Sequence, residues 1–160
     1  MSKIKKIKSI NDCLKQETGF QICRDEEGKE ICFSNADFEM VCDVVPIDKC
    51  VFNKVKGERK CDFLFLFDRN KQRYRQVLKR KSSQAYYVEL KGIDLTDACE
   101  QLLNSIEKTR HEITGYDINA VVVSSRKFVP KNDNNKFLRE IMTIIKKNVT
   151  FNLTPHNIQF

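Results

Sequence analysis

The chain has 160 residues, of which 41% are hydrophobic and 32% are charged, and its net charge is +7. This length supports one domain with a buried core, and the composition is that of a globular protein. Because no run approaches the about 18 apolar residues of a membrane span, and no apolar stretch follows the basic N-terminus, we expect no membrane contact, no signal peptide and a cytoplasmic location.

The first third of the chain predicts a helix and a hairpin. Apolar residues recur at helical spacing over residues 3–17, and this helix is expected to end before Gly19. Residues 20–23 and 30–33 are short apolar runs on either side of a charged turn that contains Gly28, which predicts a β-hairpin.

The segment that follows is less regular. Residues 38–45 fit either a helical turn or a strand, and Pro46 ends the segment in both cases. Residues 50–55 are typical of a strand, with a turn at Gly57.

Two strands and a helix are the clearest elements. Residues 61–67 and 84–91 are apolar and aromatic, as expected for neighbouring strands, and a basic connection joins them. A helix capped by Asp94 or Thr96 is predicted to run to about Arg110.

Three more elements complete the predicted fold. Residues 118–123 predict a buried strand, residues 136–147 a helix and residues 149–153 an edge strand. Paired strands followed by a helix and another strand indicate an α/β fold of mixed α+β type, with a central mixed β-sheet flanked by helices.

No repeat or linker divides the chain, so we expect a single domain over residues 1–160. Its core is predicted at about residues 49–124. An N-terminal hairpin elaboration is expected at 1–48, and a C-terminal helix at 134–160.

The cysteines do not form a metal-binding pattern. There are seven of them, none in a Cys-x-x-Cys pair, and only two histidines. A zinc site is therefore not expected. We expect instead that the cysteines are reduced thiols and that several of them are buried.

Positive charge is concentrated in residues 54–81, which hold eleven Lys and Arg residues against three acids. Such a segment favours a polyanionic partner, most simply nucleic acid, DNA rather than RNA, although a solvated charged loop has the same composition. The residues expected to contact nucleic acid are Arg69, Lys71, Arg73, Arg75, Lys79, Arg80 and Lys81.

Three charged residues are expected to meet at one end of the central hairpin. If the two strands pair antiparallel with Phe67 opposite Gln84, the same register places Asp62 opposite Glu89. Lys91 shares a face with Glu89 because side chains two residues apart in a strand point to the same side. A register slip of one residue would separate these groups.

Two neighbouring carboxylates repel one another unless a cation lies between them. Hard oxygen ligands suit Mg²⁺ or Mn²⁺, so Asp62, Glu89 and the backbone carbonyl of Leu90 are the predicted metal ligands. Lys91 could orient an attacking water or offset negative charge in the transition state.

These residues resemble the PD-(D/E)xK nuclease superfamily, which has the restriction-endonuclease-like fold. The resemblance rests on Asp62, on Glu89-Leu90-Lys91 and on the following helix, and it covers roughly residues 49–124. It implies that Asp62 and Glu89 bind the metal, that Lys91 is the catalytic lysine and that Gln101 on the helix assists.

The chain departs from the superfamily pattern at several positions. Position 61 is Cys where the name-giving motif has Pro, and position 105 is Ser where some members have Tyr. An additional acid often comes from an earlier helix, and here Glu39 is the first candidate, followed by Glu17 and Glu30.

The expected function is that of a magnesium-dependent endo- or exonuclease acting on DNA, in a setting such as restriction or phage defence. The alternative is a non-catalytic module of the same fold that binds nucleic acid or an acidic protein. A homodimer is expected if both strands of a duplex are cut.

Overall fold

The computed structural model describes residues 7–18, 21–24, 30–34, 41–53, 55, 57–71, 82–91, 94–124, 135–153 and 156–159. Among the helices in these ranges, none combines the length and the apolar character needed to cross a membrane. The strands are β1 (Lys15–Thr18), β2 (Gln21–Arg24), β3 (Glu30–Ser34), β4 (Val41–Pro46), β5 (Phe63–Phe67), β6 (Gln84–Lys91), β7 (Asp117–Ser124), β8 (Thr150–Leu153) and β9 (His156–Gln159), and the α-helices are α1 (Leu95–Thr109) and α2 (Lys136–Ile145).

The central sheet has six strands in the order β1-β4-β5-β6-β7-β8. The pairs β1–β4, β4–β5 and β5–β6 are antiparallel, whereas the pairs β6–β7 and β7–β8 are parallel. A second sheet has the order β2-β3-β9, and its β2–β3 pair is the predicted N-terminal hairpin. The predicted α/β fold with a mixed sheet flanked by helices is confirmed.

The strands of the central sheet bury apolar side chains on both faces. On one face, residues such as Leu64, Tyr87 and Val122 pack against the two α-helices. On the other face, residues such as Phe65 and Val88 form a separate apolar cluster. This two-sided burial explains why β5 reads as an uninterrupted apolar run instead of an alternating one.

Helix α1 begins where the sequence predicts. The side chain of Asp94 accepts a hydrogen bond from the backbone N–H of Asp97 at 3.0 Å, which satisfies one of the unpaired N–H groups of the first turn. The helix then crosses the sheet and connects β6 to β7, as a parallel strand pair requires.

Two predicted elements are wrong. In the described part of 3–17, a 3₁₀ turn at Asn11–Cys13 leads into strand β1, because pairing with β4 satisfies the backbone there. In place of a strand at 50–55, the chain makes a helical turn at Ile47–Val51, which places Phe52 in the core. The described part of the ambiguous segment before Pro46, residues 41–45, belongs to strand β4.

The expectation that the cysteines are reduced is wrong for one pair. Cys13 and Cys50 form a disulfide with Cα atoms 5.9 Å apart, which links the Asn11–Cys13 turn to the Ile47–Val51 turn. Spacing alone did not identify this pair, because the two thiols meet only once β4 has brought the turns together. Cys42, Cys61 and Cys99 keep reduced, buried thiols, as expected.

A fully buried pair of hydroxyl groups joins β6 to α1. The oxygens of Tyr87 and Thr109 lie 2.7 Å apart, and Tyr87 is fully buried. This burial raises the pKa of Tyr87 well above its ordinary value of 10.0.

The buried Tyr87 predicts a loss of stability at alkaline pH. Its folded pKa is raised, so its contribution is complete below pH 10, where the unfolded tyrosine ionises, and is lost as the pH rises further. Replacing Tyr87→Phe should remove about 1 kcal/mol of this dependence between pH 10 and pH 11. Urea unfolding of both proteins at pH 8 to 11 measures the difference, and parallel curves would contradict it.

Candidate active site

The register of the central hairpin is the one expected from the sequence. Phe67 lies opposite Gln84 and Phe63 lies opposite Val88. Asp62 is the residue immediately before β5, at a bend in the chain, so the same register leads from Asp62 towards Glu89. The predicted meeting of these two residues at one end of the hairpin is supported by this register.

A direct hydrogen bond ties Asp62 to the strand that carries Glu89. The backbone N–H of Leu90 donates to Asp62 Oδ2 at 2.8 Å. This oxygen is therefore about 4 Å from the carbonyl carbon of Glu89, to which the Leu90 nitrogen is bonded. Asp62 is partly exposed, whereas Glu89 is only 3% exposed.

Glu89 belongs to the helix-covered face of the sheet. Ala85 and Tyr87, which precede it at two-residue intervals in β6, pack in the core beneath α1 and α2. A charged residue at the end of such a row is exceptional, because ionised carboxylates are seldom fully buried without compensation. We refer to Asp62 and Glu89 together as the carboxylate pair.

The thiol of Cys61 reports the electrostatics of this region. Cys61 is fully buried, and this burial is the main cause of its strongly raised pKa. The negative charges of Glu89 and Asp62 raise the pKa of the thiol further. Cys61 therefore lies in the negative potential of the carboxylate pair.

The chain on either side of Asp62 is held from two directions. The Asp62 carbonyl accepts a hydrogen bond from the N–H of Ile47 at 3.0 Å, which links it to the turn after β4. The N–H of Cys61 donates to Ser105 Oγ on α1 at 2.8 Å. Asp62 thus lies between a turn and a helix.

The residues that precede Asp62 in the chain contact helix α1. Arg59 forms ion pairs with Asp97 and Glu100 on that helix. Glu58 pairs with Lys108 at 2.6 Å, which lowers the pKa of the Glu58 carboxyl. These contacts hold Glu58 and Arg59, which precede Asp62 in the chain, against helix α1.

The remaining predicted catalytic and metal-binding residues lie in the neighbouring elements. Lys91 is the last residue of β6, and its side chain is outside what the structure describes. Because the N–H and C=O of a strand residue point to the same edge, the Leu90 carbonyl faces the Asp62 side as its N–H does. Gln101 lies one helical turn before Ser105, on the helix that contacts Cys61.

The candidates for an additional acid lie, wholly or in their side chains, outside the described residues. Glu39 lies outside the described residues. Glu17 is in β1 and Glu30 is in β3, but their side chains are outside the described part of the structure.

Two serines near the carboxylate pair were not singled out from the sequence. Ser105 contacts Cys61, and Ser124, which is 2% exposed, ends β7 opposite Lys91. The strand–helix–strand pattern contained the signal for Ser124, since it implies that β6 and β7 are parallel. Ligands of such sheets bind beyond the carboxyl ends of the parallel strands, where Lys91 and Ser124 lie.

The donor set suits a magnesium ion that keeps much of its own water. Two carboxylates and a backbone carbonyl are oxygen ligands, and Mg²⁺ in enzymes is often held by one or two carboxylates together with substrate phosphates. Within the described ranges, no three His, Cys, Asp and Glu side chains group closely enough to hold a metal by themselves.

The two predicted nucleic-acid contacts that the structure describes lie at the opposite end of the hairpin. Arg69 and Lys71 follow the last residue of β5, whereas the carboxylate pair lies at its start. Five residue-to-residue steps along β6 lead from Gln84 to Glu89, a distance of about 17 Å. The other predicted contacts, Arg73, Arg75, Lys79, Arg80 and Lys81, lie outside the described residues.

Lys71 already has a protein partner. Its Nζ lies 2.6 Å from Oδ2 of Asp43, a β4 residue that is only 5% exposed. Lys71 thus ties the start of the connection between β5 and β6 to β4, and it compensates the buried charge of Asp43.

Searches against protein-family models, curated proteins and solved structures find no significant match for the chain.

Proposed function

We propose that the chain is a magnesium-dependent nuclease of the PD-(D/E)xK type, which hydrolyses phosphodiester bonds in DNA. The observation that carries this proposal is the hydrogen bond from the Leu90 N–H to Asp62, which holds one carboxylate beside the strand of the other. Two acids on either side of a hairpin, followed in β6 by Lys91, resemble the Asp…Glu-x-Lys arrangement of that superfamily and so support the proposal.

Each residue has a role that follows from its position. The Leu90 N–H fixes Oδ2 of Asp62 and so sets the direction of the second carboxylate oxygen. Asp62, Glu89 and the Leu90 carbonyl would hold Mg²⁺, which supplies a more acidic water and neutralises charge on the phosphate. Lys91 orients the attacking water or stabilises the charge that develops as the P–O bond breaks.

Burial of Glu89 strengthens these electrostatic effects. The residue is 3% exposed at the end of an apolar row, where the local dielectric constant is lower than in water. Asp62 is more accessible, so the substrate phosphate would approach from the Asp62 side.

A binding module without catalysis is the second candidate, and one observation favours it. The described basic residues Arg69 and Lys71 lie at the far end of the hairpin from the carboxylate pair. Nucleic acid held there need not contact Glu89 at all. Such a module would bind DNA in EDTA and would release it as the salt concentration rises.

Cleavage assays separate the two candidates. Supercoiled plasmid, single-stranded DNA and RNA are incubated with the wild-type chain in Mg²⁺, Mn²⁺ or EDTA. We expect cleavage of DNA in Mg²⁺ or Mn²⁺ and none in EDTA. Lys91→Ala should cut at least about 100-fold more slowly, as expected when a group that acts on the water or the transition state is removed.

The matched control is Lys49→Ala, which removes an exposed lysine from the turn after β4. It should cut like the wild type. Salt-dependent DNA binding with no cleavage under any metal would contradict the nuclease and support the binding module. Size-exclusion chromatography with and without DNA tests for the homodimer expected of an enzyme that cuts both strands.

A further inference from the structure

The β5–β6 ladder ends in an unusual way. Continuing its register places Cys61 opposite Leu90. In a regular antiparallel pair, the backbone N–H and C=O groups of two opposite residues either form hydrogen bonds with one another or point away from the partner strand. Here a side chain takes each N–H instead: Ser105 Oγ accepts from Cys61 at 2.8 Å and Asp62 Oδ2 accepts from Leu90 at 2.8 Å.

The hydroxyl of Ser105 has a defined direction. It donates its proton to the Gln101 carbonyl at 2.8 Å, so its oxygen accepts from the Cys61 N–H. Both Ser105 and Cys61 are fully buried, and water cannot replace this contact. Losing the hydroxyl would leave a buried N–H without its acceptor, which costs about 1–3 kcal/mol unless the backbone moves.

We propose that Ser105 is a positioning residue for Asp62, a role that rests on the proposed nuclease function. By holding the Cys61 N–H on α1, Ser105 keeps the backbone of β5 apart from β6 immediately before Asp62. The Leu90 N–H is then taken by the Asp62 carboxylate and not by the opposing backbone. Without the hydroxyl, the Cys61 backbone relaxes and the carboxylate loses its fixed direction.

The test compares two buried hydroxyls on the same helix. Ser105→Ala removes the contact to Cys61. Thr109→Val is the matched control, because the Thr109 hydroxyl is also fully buried and bonds Tyr87 and the Ser105 carbonyl instead of Cys61. Ser105→Cys keeps a weak acceptor and should behave between Ser105→Ala and the wild type.

Three measurements are made on each variant: Mn²⁺ affinity by calorimetry, kcat for plasmid cleavage, and hydrogen exchange of the Leu90 amide relative to amides of α2. We expect Ser105→Ala to weaken Mn²⁺ binding and to lower kcat by about 10- to 100-fold each. The Leu90 amide should exchange at least about tenfold faster. Thr109→Val should lower the unfolding temperature to a similar degree and leave all three values near wild type.

Equal Mn²⁺ affinity and unchanged Leu90 exchange in Ser105→Ala would overturn the role of Ser105. Equal losses in Thr109→Val would overturn it as well, because they would show a general effect of stability. A wild-type chain that neither binds Mn²⁺ nor cleaves DNA contradicts the proposed function instead, and the Leu90 amide then still decides whether Ser105 positions Asp62.

Discussion

Replacing Glu89→Gln is expected to lower magnesium-dependent cleavage by at least about 1,000-fold, and Asp62→Asn should have an effect of the same order. Each change removes the charge of one of the two proposed metal ligands in the carboxylate pair. A metal ion contributes several kcal/mol to the stabilisation of a charged transition state, and about 4 kcal/mol corresponds to a thousandfold change in rate. Initial rates on plasmid DNA measure the loss.

Metal-dependent unfolding provides a second measurement for these variants. Wild-type protein should unfold at a higher temperature in Mg²⁺ or Mn²⁺ than in EDTA, because a ligand that binds only the folded state stabilises it. Glu89→Gln should lose this difference. It should also fold in EDTA, since it replaces a buried carboxylate by a neutral group of the same shape.

Glu107→Gln is the control. Glu107 is exposed on α1, and its substitution removes the same negative charge at a position away from the carboxylate pair. It should retain both activity and the metal-dependent shift. Cleavage by Glu89→Gln at more than a tenth of the wild-type rate would show that Glu89 does not bind a catalytic metal.

Breaking the Cys13–Cys50 disulfide is expected to produce the largest loss of stability. The bridge joins positions 37 residues apart, and the chain-entropy estimate for a loop of that length is about 4 kcal/mol. For a chain of this size, such a loss lowers the unfolding temperature by about 10 °C. Thermal unfolding of the wild type with and without a reducing agent measures it.

The double variant Cys13→Ser/Cys50→Ser is the control for this experiment. It should unfold at the temperature of the reduced wild type and should not respond to the reducing agent. Equal unfolding temperatures of oxidised and reduced wild type would show that the bridge does not stabilise the fold.

Local sequence patterns predicted the centre of the fold well. Strands β5 and β6 are long, apolar and joined by one polar connection, which left few possible registers, and the pairing of Phe67 with Gln84 is confirmed. Of the two capping residues predicted for α1, Asp94 and Thr96, the structure has Asp94, and the helix start was predictable because capping is a local interaction. The position of Asp62 beside β6 followed from the register of β5 and β6.

Long-range interactions account for what the sequence did not predict. Residues before Leu14 show helical spacing, yet pairing of β1 with β4 determines the structure that follows them. The contact of Ser105 with Cys61 joins residues 44 positions apart, and no local pattern indicates it. The roles of Lys91 and Gln101 stay predictions.

Under the proposed nuclease function, the placement of Arg69 and Lys71 sets a minimum size for a DNA substrate that contacts both ends of the hairpin. Arg69 and Lys71 lie beyond one end of the hairpin and the carboxylate pair lies at the other, and the strand between these ends is about 17 Å long. Successive nucleotides of a duplex strand rise by about 3.4 Å, so DNA that contacts both ends must extend about five base steps from the bond that is cut. Oligonucleotides shorter than this would be processed without help from that end of the protein, and their cleavage would depend less on salt.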